Sequence, residues 1–149
     1  MPEPRRRAWP LALGLALAVV VHLVVLYLPG DDVPLIGFEA PGLDKAVHVL
    51  TFGVPTLLAV LLVGRLWPAL VFLVHAPVSE WAQATFAQDR SGDVLDLAAD
   101  VLGVALALLA AASWRSRRRR RAAGSEGVRT GGGLDPGVPS AYASGVPSD

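Results

Sequence analysis

RSGDVLDLAADVLGVALALLAAASW (Arg90–Trp114) is the stretch whose reading decides the fold. From Val94 onward it is built almost wholly of Ala, Val and Leu, yet it opens on an arginine and carries three aspartates. At about 100° per residue, Asp93, Asp96 and Asp100 (i, i+3, i+7) share one narrow helical face, which Gly103 continues. Val94, Leu95, Leu97, Ala98, Val101 and Leu102 occupy the other side. An apolar helix with one acidic stripe suits a membrane bundle, with the stripe turned toward other helices and away from lipid.

The rest of the chain extends this reading. It has 149 residues, of which 53% are hydrophobic and only 17% charged, so its apolar runs exceed what a soluble core of this length needs. Cysteine is absent, which excludes disulfides, a thiolate nucleophile and Cys-ligated metal. Residues 1–8 form a basic lead, and Trp9–Leu28 follows with His22 as its strongly polar side chain. About twenty such residues cross ~30 Å of hydrocarbon. A signal peptide shares the basic start, but this run is long and ends in Pro29-Gly30 with no small-x-small cleavage pattern, so a retained helix is predicted.

Pro29–Leu43 reads as a loop, after which Asp44 is expected to cap a second helix that runs to about Val63 with Pro55 inside it. The Gly64-Arg65 connection is short, so a third helix, about Leu66–Phe86, should return antiparallel alongside the second. Gln88–Gly92 then forms a turn before a fourth helix at Asp93–Trp114. The expected fold is an all-α membrane protein of four transmembrane helices in two antiparallel hairpins (residues 9–114). A basic cluster and disordered C-terminal tail (115–149) should follow, because residues 122–149 are rich in Gly, Ser, Pro and Ala without periodicity.

Charge sets the expected orientation. Arg5–Arg7, Arg65 and the cluster Arg115 to Arg121 fall on one side, whereas Asp31, Asp32, Glu39 and Asp89 fall on the other. The positive-inside rule places both termini in the cytoplasm and the acidic loops outside. Arg117–Arg121 directly follows a spanning helix, which favours a stop-transfer anchor on anionic lipid headgroups over a nucleic-acid patch.

Counting depth at ~1.5 Å per residue brings polar groups from three helices to the same outer third of the bilayer. Asp44, Lys45 and His48 come from the second helix, Glu80 and Gln83 from the third, and Asp93, Asp96 and Asp100 from the fourth, with Arg90 at its mouth. A charged residue turned to lipid there costs on the order of 2.5–3.5 kcal/mol, so these residues should face one another. Five acids (Asp44, Glu80, Asp93, Asp96 and Asp100) against Lys45 and Arg90 cannot all stay ionised at close range unaided. The excess calls for a retained proton, a bound cation or a ligand with a positive group. His22 and His75 are read as packed or bonded to backbone, His75 satisfying carbonyls freed by Pro77, and stay outside the site.

DKAVH (44–48), EWAQ (80–83) and RSGDVLDLAADVLG (90–103) together resemble the signature of the VanZ-like family of small bacterial membrane proteins: DKxxH, ExxQ, and RxxDxxD followed by Asn and Gly. The resemblance covers about residues 40–110 and carries the family's polar positions onto Asp44, Lys45, His48, Glu80, Gln83, Arg90, Asp93, Asp96 and Gly103. Asp100 stands where the family commonly has Asn, and Phe52 where an aromatic, often Tyr, is usual. The resemblance implies a multi-pass protein of the bacterial cytoplasmic membrane. The family's name derives from a member associated with teicoplanin resistance, and its biochemical activity is not generally established.

Three functional readings follow. In the first, an outward-facing pocket binds a lipid, lipid-linked glycan or glycopeptide of the cell envelope through Asp44, Lys45, His48, Glu80, Gln83, Arg90, Asp93, Asp96 and Asp100. In the second, a membrane-embedded hydrolase or transferase uses His48, Glu80 and Asp96 as catalytic groups, with Asp44 or Glu80 pairing His48. In the third, the polar residues form only a packing network. No cofactor is predicted. A divalent cation on one histidine and several carboxylates is a lesser reading, since no HxxxH or HExxH arrangement is present.

Overall fold

The computed structural model describes residues 8–27, 42–86 and 94–130, with side chains through 124. These residues form four helices: α1 (Ala8–Tyr27), α2 (Leu43–Val63), α3 (Trp67–Phe86) and α4 (Val94–Thr130). Three of them, α1, α2 and the Val94–Gly124 part of α4, are long and apolar enough to cross a membrane. Their outward faces carry large apolar side chains such as Leu13, Leu17, Leu50, Val54, Leu102 and Leu109, all exposed. That surface suits hydrocarbon as its solvent. The 20-residue α3 is as long as α1, but His75, Ser79, Glu80 and Gln83 lower its apolar character.

Helix α2 is the centre of the bundle. It packs on α1 and α3 and meets α4 at a backbone crossing of Gly53 and Gly103. A methyl group on Gly103 would overlap the Val49 carbonyl oxygen, and one on Gly53 would come within 3.0 Å of the Gly103 carbonyl. Glycine is required where two helix backbones touch in this way. Around the crossing the core is small and continuous: Phe52 and Val60 of α2, Ala69 and Ala76 of α3, Val104 and Ala111 of α4, and Leu26 of α1.

Two ends of α2 differ in their fit to expectation. The helix stops at Gly64, whose left-handed backbone (φ 73°) lets its N–H donate to the Val60 carbonyl, and α3 starts three residues later. At the other end Gly42 is the N-cap and makes no side-chain cap bond. Asp44 therefore does not cap α2; it lies inside the first turn, where its charge meets the positive end of the helix dipole.

The C-terminal expectation also changes. Helix α4 continues past Trp114 through the arginine run to Thr130. Arg and Ala are strong helix formers, which sustains the helix over residues 115–123, and it runs on to Thr130. Residues 131–149 lie outside the described set.

Pro55 explains the buried His22. A proline within a helix leaves the carbonyl four residues earlier without its N–H partner, and that carbonyl belongs to Thr51. His22 Nδ1 donates to it at 2.9 Å, with the ring 2% exposed and stacked edge-on to Phe52 at 4.7 Å. The expectation had given such a role to His75 and Pro77; His75 instead meets the Tyr27 hydroxyl at 3.4 Å. His22→Leu is expected to destabilise by about 1–3 kcal/mol, the cost of a buried carbonyl left unpaired. Adding Pro55→Ala restores an N–H for Thr51 and should recover much of that loss. Unfolding titrations in mixed micelles would measure the coupling, and additive effects would contradict the pairing.

Candidate functional site

Near the start of α2 the chain turns a lysine and a histidine toward α4. Lys45 and His48 are three residues apart on one face of α2, as Asp96 and Asp100 are four apart on α4, so two pairs form one above the other. Lys45 Nζ donates to Asp96 Oδ1 at 2.5 Å and also lies 3.0 Å from Asp44 Oδ2. One turn deeper, His48 Nδ1 donates to Asp100 Oδ1 at 2.9 Å. The ring's other nitrogen is 3.8 Å from Asp96 Oδ1, too long for a hydrogen bond.

Burial increases with depth along this ladder. The Asp44 side chain is 62% exposed, Lys45 30%, Asp96 17% and Asp100 0%. Asp100 Oδ2 is sealed from solvent with no hydrogen-bond partner among the described residues. Helix α3 closes the deep end with Glu80, itself buried. One donor atom each from His48, Glu80 and Asp100 lies within 4.8 Å of the others.

The structure therefore brings together Lys45, His48, Glu80, Asp96 and Asp100 from three helices, with Asp44 at the open end. Gln83 is elsewhere: its Nε2 donates to the Leu26 carbonyl at 3.0 Å and ties α3 to the end of α1. Arg90 and Asp93 lie outside the described residues. The histidine's bonded carboxylate is Asp100, where the reading of sequence had offered Asp44 or Glu80.

Two features were not anticipated. Gly53 was overlooked as the partner of Gly103, although a glycine within an apolar helix is a signal of close approach. Thr51, on the His48 side of α2, spends its hydroxyl on its own helix by donating to the Val47 carbonyl. A separate groove of about 420 Å³ between α1 and α2 is lined by Leu17, Val21, Val25, Val47, Leu50 and Val54 among others. It includes none of the five clustered polar residues. Its chemistry is that of a lipid-facing surface.

Chemically, the cluster joins a cation–anion pair near one helix end to a deeper imidazole between two carboxylates. The upper pair can hold anionic or hydroxylated groups, and the lower trio can accept and donate protons or hold a cation. No family model, curated protein or solved structure matches the chain.

Proposed function

We propose that this chain is a VanZ-like protein of the bacterial cytoplasmic membrane, in which all four helices span as two antiparallel hairpins with both termini cytoplasmic. Its polar cluster opens outward and binds a component of the cell envelope, a lipid-linked glycan or a glycopeptide, at the outer leaflet. The anchor on anionic lipid is the arginine run Arg117–Arg121.

The observation that carries this reading is the convergence of Lys45, His48, Glu80, Asp96 and Asp100 within otherwise apolar helices. Two pairs and a third carboxylate exceed what is needed to hold helix register, since one interhelical hydrogen bond is worth a modest ~0.6–2 kcal/mol. Lys45 and Asp96, partly exposed beside the exposed Asp44, supply charges of both signs for a ligand rich in phosphate, hydroxyl and amine groups. The His48–Asp100 dyad supports an enzymatic alternative, in which the carboxylate orients the imidazole for proton transfer to a lipid-linked substrate.

The test is a set of conservative swaps, Asp96→Asn, Glu80→Gln and His48→Asn, each assayed for folded membrane yield and for susceptibility to glycopeptides and other wall-active compounds. Normal yield with altered susceptibility is the expected outcome. Loss of yield in step with function would return the cluster to a packing role. A covalent change in an envelope lipid or glycan, seen by mass spectrometry, would favour the enzyme over the binder.

A further inference from the structure

We propose that His48, Glu80 and Asp100 form a binding site for one divalent transition-metal ion. The site uses the same polar cluster but does not rest on the envelope reading, because it concerns the purified chain alone.

Geometry comes first. The three side chains arrive from three different helices, α2, α3 and α4, and each offers a donor atom within 4.8 Å of the other two. Bonds of about 2.1 Å to an ion hold donor atoms roughly 3–4 Å apart, so the trio closes on an ion through side-chain shifts of about half an ångström. Helices, and not loops, supply all three ligands, which keeps them near that geometry without a costly ordering step.

The second observation is the state of Asp100. Its carboxylate is wholly buried and aimed at His48 and Glu80, yet its Oδ2 has no hydrogen-bond partner among the described residues. Buried polar atoms are rarely left so, and an unpaired one marks a place for an ion or water. A water would satisfy the lone pair but leave two buried carboxylates close together beside a single imidazole. A divalent cation satisfies the lone pair and balances both charges. Lys45 is bonded to Asp96 and Asp44, toward the exposed end of the cluster.

Ligand chemistry narrows the ion. One imidazole and two carboxylates favour Mn²⁺, Fe²⁺ or Zn²⁺ over Ca²⁺, which takes oxygen ligands, and over Cu⁺, which takes sulfur. His48 Nδ1 lies 2.9 Å from Asp100 Oδ1, so an ion held by both would take the place of the proton they share, as a metal displaces protons from its ligands.

The experiment uses the full chain in detergent, stripped with chelator and titrated with Mn²⁺ alone, then with Zn²⁺ as competitor. One saturable Mn²⁺ per chain is expected, with ¹⁴N modulation in pulsed EPR that disappears in His48→Gln. Glu80→Gln and Asp100→Asn should weaken binding at least about tenfold, whereas Thr85→Ala, at an exposed position near the end of α3, should not. Absence of saturable binding by the folded parent chain overturns the proposal. So does a ¹⁴N signal that survives in His48→Gln, because it would come from His22 or His75. Should Asp100→Asn not be recovered folded, the parent stoichiometry, His48→Gln and Glu80→Gln decide. An envelope phenotype without metal binding would sink this site and leave the ligand reading standing.

Discussion

Gly103→Ala is expected to destabilise the bundle by more than about 3 kcal/mol and to reduce sharply the folded protein recovered from membranes. The added methyl would occupy the position of the Val49 carbonyl oxygen and press on the Gly53 amide nitrogen. Both are backbone atoms, so no rotamer change relieves the overlap and the two helices must separate. Separation breaks more than the crossing. Asp100 is one turn from Gly103, and Asp96 one turn further, so their bonds to His48 and Lys45 lengthen together. Gly14→Ala is the control: its methyl would meet only Leu58 Cδ1 at 3.8 Å, an ordinary contact. That substitution should be neutral or should stabilise α1 by about 0.5–1 kcal/mol, as alanine for glycine does within a helix. Equal stability of the two variants, measured by denaturant titration in micelles, would rule out the backbone crossing.

The same crossing shows what could be read from sequence. Gly103 stood out because it continues an acidic stripe in an apolar helix, and period alone places it on the inner face. Its partner Gly53 lies in an ordinary apolar stretch, and no pattern within one helix says which neighbour that helix will meet. Depth counting grouped Lys45, His48, Glu80, Asp96 and Asp100, because residues at equal distances from helix ends come to one level when helices pack side by side. It also grouped Gln83 with Glu80, and there it misled. Residues three apart differ by about 60° in direction, enough for Glu80 to face His48 and Asp100 while Gln83 reaches the Leu26 carbonyl of α1. The His22–Thr51 bond was likewise hidden, although both halves were visible: a lone histidine in α1 and a proline in α2. Only the packing of α1 on α2 joins them. At the C-terminus composition suggested disorder from residue 122, whereas α4 runs as far as Thr130.

His48→Leu is expected to cost about 3–5 kcal/mol in metal-free buffer, because it leaves the Asp100 carboxylate fully buried without its partner. A network of neutral hydrogen bonds would lose far less, about 0.6–2 kcal/mol per bond in a membrane protein. The magnitude therefore separates a charged site from a packing device. Asp100→Asn should be milder than His48→Leu, since an amide can still accept from the ring nitrogen and carries no charge to strand. The decisive variant is the double substitution His48→Leu with Asp100→Leu. Replacing both members of a buried pair by apolar side chains is often neutral or stabilising, so the double variant should be more stable than His48→Leu alone. That sign reversal, read from a double-mutant cycle in chelator, would mean that stability does not require the pair. A bundle that folds as well without His48 and Asp100 as with both holds the two residues for their chemistry. If the double variant is instead the least stable of the set, the pair is structural, and function would have to be sought in Lys45 and Asp96 above it.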